Sequence, residues 1–281
     1  MPFFQPTVLK KYIAELDKEN LAAAWQTFSA HFHNPHIQAN IRAAKEEQYQ
    51  EGFLRELFVS VLGYTLNPQP NFNLTTEYKN EKDSKKADGA IIVDGAIRAV
   101  IELKGTDTTD LSKIEKQAFG YLNNHKGCTY VVTSNFEKLR FYLQDAIEFE
   151  EFNLFTLTQD RFALLFLCLH KGNVFAQLPL TIKQLSVAQE DNVTKKLYAD
   201  YSRFRNNVFQ NLVLLNPQYD KLDLFKKTQK LLDRFLFILF AEDRLLLPPN
   251  FIIKITEDWK QLQKLRMPQP LYSRFQLYFA I

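Results

Sequence analysis

The chain has 281 residues, 46% of them hydrophobic and 24% charged, with a formal net charge of +3. That balance belongs to a globular protein of one large domain or two modest ones and excludes a disordered chain. With so small a net charge, any site for a polyanion must come from local clustering rather than from an overall basic field. Only 8 glycines accompany 25 Phe and 12 Tyr, so aromatic rings must fill much of the core and a glycine-cradled nucleotide fold is disfavoured. No apolar stretch reaches the roughly 18 uncharged residues of a membrane span, so no membrane partner is expected. Cys128 and Cys168 lack metal-ligand spacing and sit in apolar surroundings, and the first residues carry no basic-then-apolar leader. Both features predict a cytoplasmic protein with reduced thiols.

Along residues 7–29, Leu9, Tyr12, Ile13, Leu16, Leu21 and Trp25 recur at helical spacing and predict one or two amphipathic helices, which HFHNPHIQAN then breaks. A second helix is expected over 46–62, closed by Gly63 at a left-handed cap. After the polar, lysine-rich TTEYKNEKDSKK, the segments AIIV and AIRAVIELK flank Asp94-Gly95, the strongest short signal for a β-hairpin. LSKIEKQAFGYLNN predicts a helix, CTYVVTSN and KLRFYLQ predict strands, and DRFALLFLCLH predicts a short buried helix. QLPLTIKQL marks a boundary, after which only helical patterns follow. Among them is a strongly apolar helix stopped by Pro248 and Pro249. The expected domains are 1–178 and 179–281.

The chemistry concentrates on the hairpin. Metal-assisted cleavage of a phosphodiester needs carboxylates that hold a divalent cation near the phosphate and a group that positions the attacking water. Glu102 and Lys104 are two apart on a predicted strand and share a face, while Asp88 opens the preceding strand and is brought back by the turn. A charged pair interrupting the apolar run AVIELKG would be costly to bury without a ligand. His31, His33 and His36 surround Asn34-Pro35 and are expected to be loop histidines rather than metal ligands. Lys79, Lys82, Lys85 and Lys86 alternate with Glu77, Glu81 and Asp83, which fits a solvated loop as well as phosphate contacts.

The run KADGAIIVDGAIRAVIELK resembles the PD-(D/E)xK nuclease superfamily, with Ala87-Asp88 where the family has Pro-Asp and Glu102-Leu103-Lys104 as its ExK element. EEQYQEGFLRELFVSVLGY looks like the family's first helix, whose glutamate completes the metal site; Glu47 is the first choice for it and Glu51 the second. Gln117 and Tyr121 match the QxxxY element of related nucleases. Being four apart, they share a helix face from which an amide and a phenol can hold a phosphate or orient Lys104. The resemblance implies an α/β (α+β) restriction-endonuclease-like core, a mixed central sheet flanked by helices, followed by an all-α connector domain. It implies Mg²⁺, replaceable by Mn²⁺, held by Asp88, Glu102 and Glu47, with double-stranded DNA as substrate.

LLDRFLFILFAEDRLLLPPN and PLYSRFQLYFAI look like the helical connector of type IIG restriction-modification enzymes. The chain would then be the amino-terminal part of such an enzyme, truncated before a methyltransferase domain. S-adenosylmethionine, that methyltransferase and a target-recognition domain would belong to the remainder of the longer chain. The alternative expectation is a nuclease-like module that binds DNA or joins domains without cutting.

Overall fold

The structure, a computed structural model, describes residues 3–79, 86–124, 127–267 and 269–278. The chain divides into two compact units, Met1–Asp191 and Asn192–Ile281. The expected boundary at 178/179 coincides with the start of a long helix that runs through this division.

The first unit begins with four helices, α1 (Pro6–Ala14), α2 (Lys18–Phe32), α3 (Pro35–Ala43) and α4 (Glu46–Phe53). The expected break at HFHNPHIQAN is in fact a helix start. The Asn34 side chain accepts from the His36 and Ile37 N–H groups and Pro35 occupies the first turn, so α3 follows α2 almost at once. α4 continues into a π-helical segment, Leu54–Val61, where the Leu62 N–H reaches the Leu57 carbonyl at 3.0 Å. Gly63, at φ 79°, closes it.

Six strands follow among the described residues: β1 (Leu74–Lys79), β2 (Lys86–Val93), β3 (Ala96–Leu103), β4 (Tyr130–Ser134), β5 (Lys138–Leu143) and β6 (Phe149–Asn153). They form one sheet in the order β1-β2-β3-β4-β5-β6. β3 and β4 pair in parallel, joined by helix α5 (Ser112–Asn124), and the other pairs are antiparallel. β1 and β6 were not expected. They are the two edge strands, and their sequences LTTEYK and FEEFN are polar because an edge needs no continuous apolar run and is protected by charge.

Two layers cover the sheet. On one face Ile91, Ala99, Ile101, Leu103, Val132, Leu139 and Phe141 join a large core with α2, the π-helical segment and helix α6 (Gln159–Leu169). Phenylalanine supplies its volume: Phe28 stacks on Phe32 at 4.9 Å and Phe53 meets Phe136 at 5.4 Å, distances typical of attractive ring pairs. All residues from Phe162 to Leu169 are buried, so α6 is apolar on every side. On the opposite face a smaller cluster, including Val100, Val131, Tyr142 and Ala118, carries α5.

After α7 (Lys171–Phe175), helix α8 (Leu178–Leu215) begins in the first unit, where Ser186 Oγ accepts from the Gln5 N–H at 3.0 Å, and ends in the second. The second unit is completed by α9 (Lys221–Asp243), α10 (Phe251–Lys264) and α11 (Leu271–Gln276). α9 buries Leu224, Thr228, Leu232, Ile238 and Ala241, a helical stripe, and its Phe235 meets Phe275 of α11 at 5.0 Å. It stops at Asp243, ahead of the Pro248-Pro249 stop expected from the sequence. A mixed sheet flanked by helices, followed by a helical region, is therefore the architecture. Among the described residues no helix is long and apolar enough to cross a membrane.

Candidate active site

The β2–β3 turn has Asp94 at φ 51° and Gly95 at φ 76°, the left-handed pair that a two-residue hairpin of right-handed twist requires. From there the register shifts by one residue between Ile91 and Ile92 and then runs through Ala90↔Val100 to Gly89↔Ile101, which brings Asp88 alongside Glu102. The Leu103 N–H donates to Asp88 Oδ2 at 2.7 Å and locks the two strand ends together. Glu102 is 1% exposed, a carboxylate set in β3 between the buried Ile101 and Leu103.

Lys104 leaves the end of β3 and folds back on the site. Its Nζ donates to Glu46 Oε1 at 3.1 Å and to the Leu103 carbonyl at 2.9 Å, and lies 3.5 Å from Glu102 Oε1. Gly105 follows, where a Cβ would come 2.7 Å from Asp107 Oδ1, the end of an exposed side chain. From α4, Gln50 Nε2 donates to Asp88 Oδ1 at 3.3 Å and to Glu46 Oε1 at 3.2 Å. From α5, Gln117 Nε2 donates to Glu102 Oε1 at 2.5 Å. Four elements thus converge on one carboxylate pair.

Burial, then the neighbouring Asp88 charge, pushes the Glu102 carboxyl up to about 8, against the opposing pull of Lys104. Asp88 is also raised, because burial outweighs the Leu103 hydrogen bond. Burial pulls Lys104 down, but the Glu46 hydrogen bond and the Glu102 and Asp88 charges outweigh it and leave it above its ordinary value. The site therefore holds a firmly protonated ammonium beside a carboxyl group that shares its proton with solvent near neutrality. Glu102 Oε2 is buried and has no hydrogen-bond partner among the described residues. An acceptor left in that state is costly unless something positive meets it.

Asp88, Glu102, Lys104 and Gln117 are brought together. Glu47 and Glu51 are not: both are exposed, and Glu51 pairs with Arg55 at 2.7 Å on the helix surface. The glutamate at the site is Glu46. The reason is helical phase, since Glu46, Gln50, Phe53 and Leu57 lie on one stripe whose last two members are core residues, while Glu47 is turned about 100° away. Extending the buried Phe53–Leu57 stripe backwards would have selected Glu46 from the sequence, and Gln50 with it.

The Tyr121 side chain lies outside the described residues, as do Lys82 and Lys85. Lys86 pairs with Glu77 at 2.9 Å. The histidines expected in a loop sit at helix ends instead. His31 Nε2 is 3.0 Å from the Tyr49 hydroxyl, His33 packs edge-on against Trp25 and Phe28, and His36 opens α3. Among the described residues no group of three or more His, Cys, Asp or Glu side chains is arranged to hold a metal ion.

No family model, curated protein or solved structure matches this chain.

Proposed function

We propose that the first unit is a divalent-cation-dependent nuclease of the PD-(D/E)xK kind, with a restriction-endonuclease-like core, that hydrolyses phosphodiester bonds of double-stranded DNA. The observation that carries this reading is the juxtaposition of the Asp88 and Glu102 carboxyls beside the Lys104 ammonium, with Glu102 Oε2 buried and without a hydrogen-bond partner among the described residues. A hard cation such as Mg²⁺ or Mn²⁺ takes oxygen ligands, and the Asp88 and Glu102 carboxylates are of that chemistry. Their oxygens would hold it, and when bound it would supply neutralisation of charge on the scissile phosphate. Glu46 takes the place first given to Glu47, as the partner that holds Lys104.

The chain's own residues do the rest. Lys104, kept protonated, is a donor that orients the attacking water or a phosphate oxygen and does not act as a base. Gln117 fixes the rotamer of Glu102 through Oε1 and leaves Oε2 directed elsewhere. Asp88 is fixed in turn by the Leu103 N–H and Gln50. The helical unit fits the connector of a type IIG enzyme, in which methyltransferase and target-recognition domains and S-adenosylmethionine would belong to a longer chain.

The test is nicking of supercoiled DNA in the presence of Mg²⁺. Lys104→Ala is expected to lose cleavage while keeping its fold; a variant that cuts as well as the wild type would remove Lys104 from the chemistry. A second reading, a nuclease-like module that binds DNA without cutting, is favoured by one observation: among the described residues no three His, Cys, Asp or Glu side chains are arranged to hold a metal ion, and Glu46 is engaged with Lys104. It predicts no uptake of a divalent cation.

A further inference from the structure

We propose that Glu115, on the far flank of α5, is a positioning residue that sets the height of Gln117 over Glu102. The inference rests on the nuclease reading only for its effect on turnover; the placement itself is independent of it.

α5 and the residue before it bury Leu111, Ile114 and Ala118, and Ala118 joins the cluster on the sheet with Val100, Val131 and Tyr142. At about 100° per residue, Glu115 and Gln117 fall on opposite sides of that stripe. Gln117 reaches down to β3, and Glu115 reaches down to β5. There Glu115 Oε1 accepts from the Tyr142 hydroxyl at 2.6 Å and from Arg140 Nη1 at 2.9 Å, and the same Nη1 lies 3.2 Å from Ser112 Oγ at the start of the helix. The donors are themselves fixed. Tyr142 is fully buried, and Arg140 pairs with Glu151 at 2.6 Å and lies over the Phe149 ring at 4.3 Å.

Register places both contacts on one row of the sheet, since Glu102 pairs with Thr133 and Thr133 with Arg140. α5 is thus bracketed across its axis, by Glu102 on one side and by Arg140 with Tyr142 on the other. The apolar cluster beneath it takes Ala118 and the partly buried Phe119 from α5. A rotation of α5 by 20° would move a side chain at a radius of about 5–6 Å by about 2 Å, enough to break the Gln117 contact. Glu115 opposes that rotation because its two charge-assisted hydrogen bonds would have to stretch.

The experiment uses the full chain and two readouts. The first is the side-chain amide resonance of Gln117, assigned by comparison with Gln117→Glu. Glu115→Ala is expected to collapse it towards the free-glutamine position, Tyr142→Phe to shift it part of the way, and Glu115→Gln, which keeps an acceptor, to leave it near the wild type. The second is Mg²⁺-dependent cleavage. Glu115→Ala and Gln117→Ala are each expected to lower kcat about tenfold with little change in KM, and the double variant to be no worse than either. An unmoved Gln117 resonance in Glu115→Ala and Tyr142→Phe, or additive losses in the double variant, would overturn the proposal. Should Glu115→Ala fail to fold, Tyr142→Phe, which removes one hydroxyl and keeps the ring, decides the question. If the wild type does not cleave, the nuclease reading fails and the resonance alone decides the placement.

Discussion

Replacing Glu102 with Gln removes a buried carboxyl whose burial its neighbours do not offset, and its consequence can be worked with its sign. Glu102 titrates at about 8 in the folded chain against an ordinary 4.5. Between those values the folded state holds a proton that the unfolded state has released. The stability associated with that proton is complete below pH 4.5 and is lost as pH rises through about 8, at a slope of about 1.4 kcal/mol per pH unit. Over the window the loss amounts to a few kcal/mol. Asp88 shifts in the same direction, chiefly through its burial, which the substitution does not remove. Lys104, raised above its ordinary 10.5, contributes nothing to the slope in this range.

Glu102→Gln keeps the acceptor for Gln117 and cannot ionise, so the variant should match the wild type near pH 5 and exceed it increasingly towards pH 8. Urea unfolding at fixed ionic strength, without divalent cations, measures this. Trp25 stacks on Phe28 within the first unit, so in a Trp259→Phe background its fluorescence reports that unit alone. Parallel stability curves for wild type and variant between pH 5 and 8 would refute the idea that Glu102 is buried at a cost.

Other outcomes follow from the same geometry. Glu46→Gln, which loosens a charge-assisted contact to Lys104, should reduce DNA nicking about tenfold, whereas Glu47→Gln should stay within about twofold; the reverse order would restore Glu47 to the site. Gly95→Ala should destabilise the hairpin by about 1 kcal/mol, measured by thermal unfolding, because a Cβ there meets no atom within 4 Å and only the φ of 76° resists it. Adding Mg²⁺ at pH 8 should raise the unfolding midpoint of the wild type and leave that of Glu102→Gln unchanged; equal shifts would place the cation elsewhere.

The central hairpin was legible because its signals are local. Asp94-Gly95 dictates the turn and apolar residues dictate the strands, but the residue that faces Asp88 is set by a one-residue register shift between Ile91 and Ile92, which no sequence signal announces; without it Asp88 would lie opposite Ile101. The edge strands β1 and β6 were not legible, since pairing on one side only leaves their composition polar. Glu46 was missed for a different reason. Several glutamates share one helix, and choosing among them needs the helix's rotation, which the buried Phe53 and Leu57 set. The bracket from Glu115 to β5 is beyond sequence reading, because it joins residues 25 and 27 positions apart through the pairing of strands.

Titration calorimetry with Mn²⁺ at pH 8 tests the central claim most directly, that Asp88 and Glu102 form a cation site. The expected result is one ion per chain in the wild type, with proton release from Glu102 that grows as the pH is lowered to 7, and no binding in Asp88→Asn or Glu102→Gln. Binding of equal strength in the wild type and both variants, or none in the wild type, would contradict it.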